Sequence, residues 1–312
     1  MPLHVSPLSR RQWLTQSTAG VVGLGFLEMP WASSADSAAE RAIATDRIAL
    51  LSDTHIPSTP DVTARGVNMT ENLKRVVSQI CVLDPRPVGI IVNGDCAYLK
   101  GLPNDYANFA ACVAPLATAG LPLHLTMGNH DDHEPLYDAL ADQRPENPPV
   151  ESKHVSVIEM RHANFFLLDS LKQVDLVTGQ VGESQLSWLS AALATRADKP
   201  AVVVVHHNPQ FTPPAEGKPW TGIEDTEALF ACLDQHAHVK AFVFGHSHDW
   251  SVSRRGKLHM INLPPVAYVF AEDRPNGWVD TRVTATGLEL NLRTLNENDP
   301  RNGLKISMPW IG

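Results

Sequence analysis

Five short runs of apolar and β-branched residues each stop in a residue type that binds metal, and no other feature of the chain limits its fold as much. Arg47 to Leu51 leads into Asp53-Thr54-His55, Val88 to Val92 into Gly94-Asp95, and Leu121 to Met127 into Gly128-Asn129-His130-Asp131. Ala201 to Val205 leads into His206-His207, and Val239 to Phe244 into Gly245-His246-Ser247-His248. Runs of this length and composition read as buried strands. Between them, Asn68 to Leu83, Tyr106 to Thr118, Glu183 to Arg196 and Glu224 to Gln235 carry apolar residues at three- and four-residue spacing, the helical period. Strands alternating with helices imply parallel pairing in an α/β domain. A second group, His154 to Met160, Asn164 to Leu168, Val279 to Thr284 and Leu288 to Leu295, lacks intervening helices and reads as more antiparallel sheet. Two packed sheets with helices outside are therefore expected.

In open α/β sheets, sites form beyond the carboxyl ends of the strands, where all five motifs would converge. Taken singly each motif is weak, because Gly and Asp are ordinary turn residues and a lone His is usually structural. Gly-His-x-His says more, since alternate residues of an extended segment face the same way. Carboxylate, amide and imidazole gathered at one edge point to metal. Two carboxylates forced together would repel unless cations compensate them. Two metal ions about 3.5 to 4 Å apart do so, and lower the pKa of a shared water far enough to supply hydroxide near neutral pH.

The order D-x-H, G-D, G-N-H-D, H and G-H-x-H closely resembles the calcineurin-like metallophosphoesterase superfamily, over about Arg47 to Asp249. The resemblance implies an α/β fold of two packed mixed sheets flanked by helices, a four-layer αββα sandwich. It also implies two metal ions (Fe, Mn or Zn), one held by Asp53, His55 and His248, the other by Asn129, His206 and His246, with Asp95 bridging. The bridging hydroxide would be the nucleophile on a small phosphoester, and His130 the general acid. Asp131 is read either as the orienter of His130 or as a cap of the helix from Glu134 to Leu140. Neighbours in a strand point to opposite sides, so with His206 as the ligand His207 should stand behind the ligands or face the substrate.

The His-His pair before Asn208-Pro209, the Gly-Asn-His-Asp-Asp run and Glu183 to Leu189 look like the bacterial cyclic-nucleotide and glycerophosphodiester phosphodiesterase branch, although Asn208 stands where Pro is more usual. Diesters are thus the expected substrates. Gly94-Asp95-Cys96-Ala97-Tyr98 also matches the G-D-x-x-Y motif of purple acid phosphatases, which would make the chain a monoesterase with Tyr98 on iron. A third reading is a non-catalytic scaffold of the same fold.

A net charge of −9 with 19% charged residues argues against a nucleic-acid polymer as partner. No apolar stretch beyond the N-terminus is long enough to span a bilayer, and oligomerisation is left open. Ser9-Arg10-Arg11-Gln12-Trp13-Leu14 before an apolar run, then Trp31 to Ala35, resembles a twin-arginine export signal. Residues 1–39 are accordingly read as export signal and linker, 40–312 as the phosphoesterase domain, and the destination as periplasmic or extracellular. Cys81, Cys96, Cys112 and Cys232 form no C-x-x-C pair, and either disulfides or free thiols would suit them. The Pro-rich loops Ile56 to Val67 and Asn208 to Ile223 are long enough to be functional, and Phe211 and Trp220 in the second could stack on a base or simply pack.

Overall fold

The computed structural model describes residues 43, 44 and 46–312, so the export signal read in residues 1–39 and the boundary at residue 40 lie outside the described residues. In chain order the main elements are β1 (Arg47–Ser52), α1 (Met69–Cys81), β2 (Ile90–Asn93), α2 (Pro103–Thr118), β3 (Leu123–Thr126), α3 (His133–Ala139), β4 (Ser156–Glu159) and β5 (Asn164–Leu167). There follow α4 (Glu183–Ala194), β6 (Ala201–Val204), α5 (Thr226–Asp234), β7 (Val239–Phe244), β8 (Ser251–Arg255), β9 (Leu258–Asn262), β10 (Gly277–Thr284), β11 (Gly287–Thr294) and β12 (Lys305–Pro309). One six-stranded sheet has the order β12-β11-β10-β1-β2-β3, the other β8-β9-β7-β6-β5-β4.

The five motif-bearing strands are divided between the sheets. β1, β2 and β3 pair in parallel in the first, while β6 and β7 pair in parallel in the second, between β5 and β9. Antiparallel strands flank each parallel set. Strands covered on both faces read as continuous apolar runs whichever sheet they join, so this division leaves no mark on the local sequence.

Side-chain alternation along β1 builds two layers at once. Ile48 and Leu50 enter the core between the sheets with Phe165, Leu167, Val202 and Val243. Ala49 and Leu51 face outward onto Val76 and Ile80 of α1 and Phe109 of α2. The second sheet does the same, with Phe166 and Val203 packed on Leu189 and Leu193 of α4 and Leu229 and Leu233 of α5. The result is the expected αββα order. Each such buried aliphatic side chain contributes about 1.5–3 kcal/mol.

Helix α2 begins three residues before the Tyr106 that sequence periodicity marks, because Pro103 occupies its first turn and Asp105 Oδ2 accepts the Leu102 N–H at 3.0 Å. Strands β8 and β12, polar edge strands, carry too little apolar pattern to be read from sequence. None of the four cysteines is in a disulfide. No helix among the described residues is long and apolar enough to cross a membrane.

A buried ion pair fastens α3 to the second sheet. Asp169, fully buried, accepts the backbone N–H groups of His154 and Leu171 and lies 2.6 Å from His133 Nε2. Burial opposes charge on His133, but the bond to Asp169 outweighs it and raises the imidazole above its ordinary value. A folded-state pKa raised above the unfolded one gives stability that is complete below about pH 6.5 and fades as pH climbs through the raised value. His133→Leu should therefore cost about 1.5–3 kcal/mol in urea unfolding at acidic pH, with the gap to the parent narrowing at alkaline pH. A gap that widens with pH would contradict the assignment.

Candidate metal centre

The candidate ligands sit on tight turns at the strand ends. Asp53, His55, Asp95, His246 and His248 all have positive φ, between 46° and 66°. Residues with a Cβ avoid this region, at a cost of about 1–3 kcal/mol each, unless their surroundings compel it. Here backbone pairing compels it. The Asp53 N–H donates to Gly94 O, His55 N–H to Asp95 O, Gly245 N–H to His206 O and Ala267 N–H to Asp53 O. The motif glycines admit the close approach this requires: a Cβ on Gly128 would stand 2.2 Å from Asp95 Oδ1, and one on Gly245 2.6 Å from Asp53 Oδ2. Asn93, at the end of β2, stitches the sheets together beneath the site by donating to Val205 O and accepting from Thr126 Oγ1.

The side chains converge in two groups. In the first, His55 Nε2 lies 2.9 Å from His248 Nε2 and His248 Nε2 lies 3.5 Å from Asp53 Oδ1. Two imidazole nitrogens bound to one tetrahedral ion at about 2.1 Å would stand about 3.4 Å apart. In the second group, His206, His207 and His246 bring ring nitrogens within 4.8 Å of one another. Asp95 joins the two, with Oδ2 at 3.6 Å from His55 Nε2 and 3.3 Å from His206 Nε2.

Hydrogen bonds fix which nitrogen each imidazole presents. His206 Nδ1 donates to Asn93 O, His248 Nδ1 to Tyr268 O and His246 Nε2 to Thr221 O. The opposite nitrogen of each is left as a lone pair aimed at the site. Asp53 Oδ1, Asn129 Oδ1 and His206 Nε2 are buried without any hydrogen-bond partner. Orphaned acceptors of this kind are costly unless a cation satisfies them. The electrostatics agree. Burial disfavours charge on His206, yet Asp95 and Asp53 overcome it and raise the imidazole to about 10, so these carboxylates draw a proton to Nε2 wherever no other cation neutralises them. His246 is lowered to about 3 by burial and by His206. The field at the carboxylates thus calls for positive charge while the outer imidazoles stay neutral, and the donor set fits a pair of metal ions.

His130 lies at the rim. Its backbone N–H donates to Asp95 Oδ1 at 2.9 Å, and its ring is 5.3 Å from that of His55. Ring Nδ1 donates to Leu99 O at 2.5 Å, with Asp175 Oδ1 at 3.9 Å, which leaves Nε2 free. Asp131 takes neither part expected of it. Its buried carboxylate accepts the N–H groups of Cys96, Ala97 and Gly128 and the Tyr106 hydroxyl, and the cap of α3 is Asp132. It is a clamp between two ligand-bearing turns, and burial together with Asp95 raises it to about 6.

His207 lies beside the candidate ligands, its ring 5.0 Å from that of His206 and 4.6 Å from that of His246, with Nδ1 2.7 Å from Ser170 Oγ. Tyr98 is partly buried and packs on the helix-facing core. Phe211 packs on Phe230, 4.9 Å away, under Arg255. The aromatic wall of the site is instead Tyr268 and Phe270, in the loop after β9. Phe270 stacks on His248 at 4.3 Å and Tyr268 on His55 at 5.3 Å. Only their same-side i, i+2 spacing could have marked them in the sequence.

A family model described as calcineurin-like phosphoesterase matches residues 46–250. The 3′,5′-cyclic-nucleotide phosphodiesterase of Nostoc sp. is 28% identical over 228 residues, 72% of this chain and 79% of its own length. The 3′,5′-cyclic adenosine monophosphate phosphodiesterase of Pseudomonas aeruginosa is 29% identical over 236 residues, 73% of this chain and 80% of its own. A glycerophosphodiester phosphodiesterase of Enterobacter lignolyticus is 27% identical over 237 residues, 73% and 81% of the two chains. Among solved structures, a dimetal phosphatase from Danio rerio superposes with a TM-score of 0.65 at 15% identity, over 86% of this chain and 99% of that one. A purple acid phosphatase from yellow lupin gives 0.57 at 16% identity, over 84% and 53%. Both structural likenesses are of fold.

Proposed function

The chain belongs to the calcineurin-like phosphoesterase family and is a metal-dependent phosphoesterase, and from that premise we propose that it cleaves phosphodiesters at a dinuclear metal centre with His130 as general acid. The observation that carries the reading is the convergence of buried, unpartnered acceptors: Asp53 Oδ1, Asn129 Oδ1 and His206 Nε2. In this reading Asp53, His55 and His248 hold one ion, Asn129, His206 and His246 the other, and Asp95 lies between them. Such a centre, when bound, supplies neutralisation of phosphate charge and a water acidic enough to attack near neutral pH. Mixed nitrogen and oxygen donors suit Fe, Mn and Zn alike.

The protein's own groups do the rest. Asp95 receives the His130 N–H, so the residue set between the ions also fixes the loop that carries the acid. The Leu99 carbonyl holds Nδ1–H of His130 and turns Nε2 outward to give its proton to the departing alkoxide. The preference for diesters rests on the activities for which the relatives are named.

Purified protein supplied with Mn²⁺ should cleave bis-p-nitrophenyl phosphate faster than p-nitrophenyl phosphate, and EDTA should abolish both. Faster monoester cleavage would instead favour a monoesterase. With an alkyl diester, His130→Ala should lower kcat by about 10²–10⁴-fold at unchanged metal content. The loss should be smaller with nitrophenyl esters, whose leaving group needs no proton. Equal loss on both would remove the acid assignment.

A further inference from the structure

Resting on that reading, we infer that Arg65, Tyr268 and Phe270 form a specificity wall that receives a planar aromatic group on the alcohol side of the substrate, such as a nucleobase. Arg65 and Gly66 make the two-residue tip of a small hairpin in which Thr63 pairs with Asn68 and Ala64 with Val67. Both tip residues have positive φ, 50° and 77°. Tight hairpins of this kind favour Asn-Gly or Gly-Gly, so a bulky Arg at the first position works against local preference. An outlier of that sort at a site's edge is where a functional constraint is to be sought.

The side chain is held where it can be used. Its guanidinium lies 4.9 Å from the Phe270 ring centroid and 5.8 Å from that of Tyr268, and these two rings rather than a carboxylate are its described partners. The same rings pack on His248 and His55, so the wall stands one ring's thickness from the nitrogens of the first ligand group. Phe270 is 55% exposed, although most large apolar side chains of the chain are buried. An uncompensated cation and an exposed ring, side by side at the mouth of a phosphoester site, match a ligand that is at once anionic and flat. A base stacks on either the ring or the guanidinium plane. A small aliphatic diester presents no flat face to stack on the ring or on the guanidinium plane.

The test compares Mn²⁺-loaded wild type with Arg65→Gly and Phe270→Ala on 3′,5′-cyclic AMP and on glycerophosphoethanolamine. Arg65→Gly suits the φ of the turn, so folding is not at risk. Both variants should raise KM for cyclic AMP about tenfold with kcat within a factor of about two, and leave KM for glycerophosphoethanolamine unchanged. Arg65→Lys, which keeps charge but not the plane, should recover only part of the loss. Equal losses on both substrates, or none on cyclic AMP, would overturn the wall. If wild type turns over neither diester, the diester reading fails on its own. The wall is then read from 5′-AMP binding to the Mn²⁺-loaded protein by calorimetry: weaker binding by both variants supports it and an unchanged Kd overturns it.

Discussion

Asp95→Asn should reduce phosphodiester turnover by about 10³-fold or more while leaving the fold in place. One carboxylate here meets three parts of the machinery: Oδ2 faces His55 on one side and His206 on the other, and Oδ1 receives the His130 N–H. An amide of the same shape keeps the last contact through its oxygen, so the loop bearing His130 should stay put. On the proposed assignment it loses the charge that would draw cations between the two groups, without which the remaining acceptors are not expected to hold a pair of ions close together. The measurement is kcat with saturating Mn²⁺ alongside metal per chain by elemental analysis. Fewer than two ions and collapsed turnover are expected. Two ions at full occupancy with near-normal kcat would show that Asp95 does not bridge.

Gly128→Ala should be almost as damaging although it removes no functional atom. The added methyl would stand 2.2 Å from Asp95 Oδ1 and 2.4 Å from Asp95 N, and both belong to a turn held on its other side by Asp131. Something must move by about an ångström, and misplacement on that scale costs about 10²-fold in rate. Gly256→Ala is the matched control. It adds the same methyl in open space, at a φ of 60°, so it carries backbone strain without a clash. It should lose about 1 kcal/mol of stability and keep its activity. If the two variants have equal kcat, the close packing around Asp95 is not what sets the geometry of the site.

The strand ends were legible because a buried strand needs an apolar run and a metal needs His, Asp or Asn, and the two signals abut at Leu51, Val92, Met127, Val205 and Phe244. Division of those strands between two sheets was not legible, since Val202 and Ile91 are equally apolar whichever sheet they join. The part Asp131 plays is hidden from the sequence for a related reason. A carboxylate before a helix looks like a cap, and only folding brings the Cys96 and Ala97 N–H groups, more than thirty residues away in sequence, to its oxygens. Arg65 was unreadable because its partners lie some two hundred residues along the chain, in a loop with no motif of its own. Sequence carries the identity of a ligand but rarely the identity of what holds it.

The division of the site between the sheets bears on when it can exist. Asp53, His55, Asp95 and Asn129 follow strands of one sheet, whereas His206, His246 and His248 follow strands of the other. A ribosome making the chain from its N-terminus delivers the acidic half long before the imidazole half. Until residue 248 has emerged and the sheets have docked, Asp53, His55, Asp95 and Asn129 lack the three imidazoles that complete the proposed ligand set. On the proposed ligand set a complete metal site forms only at the last stage of folding, so the metal is expected to be chosen where folding is completed.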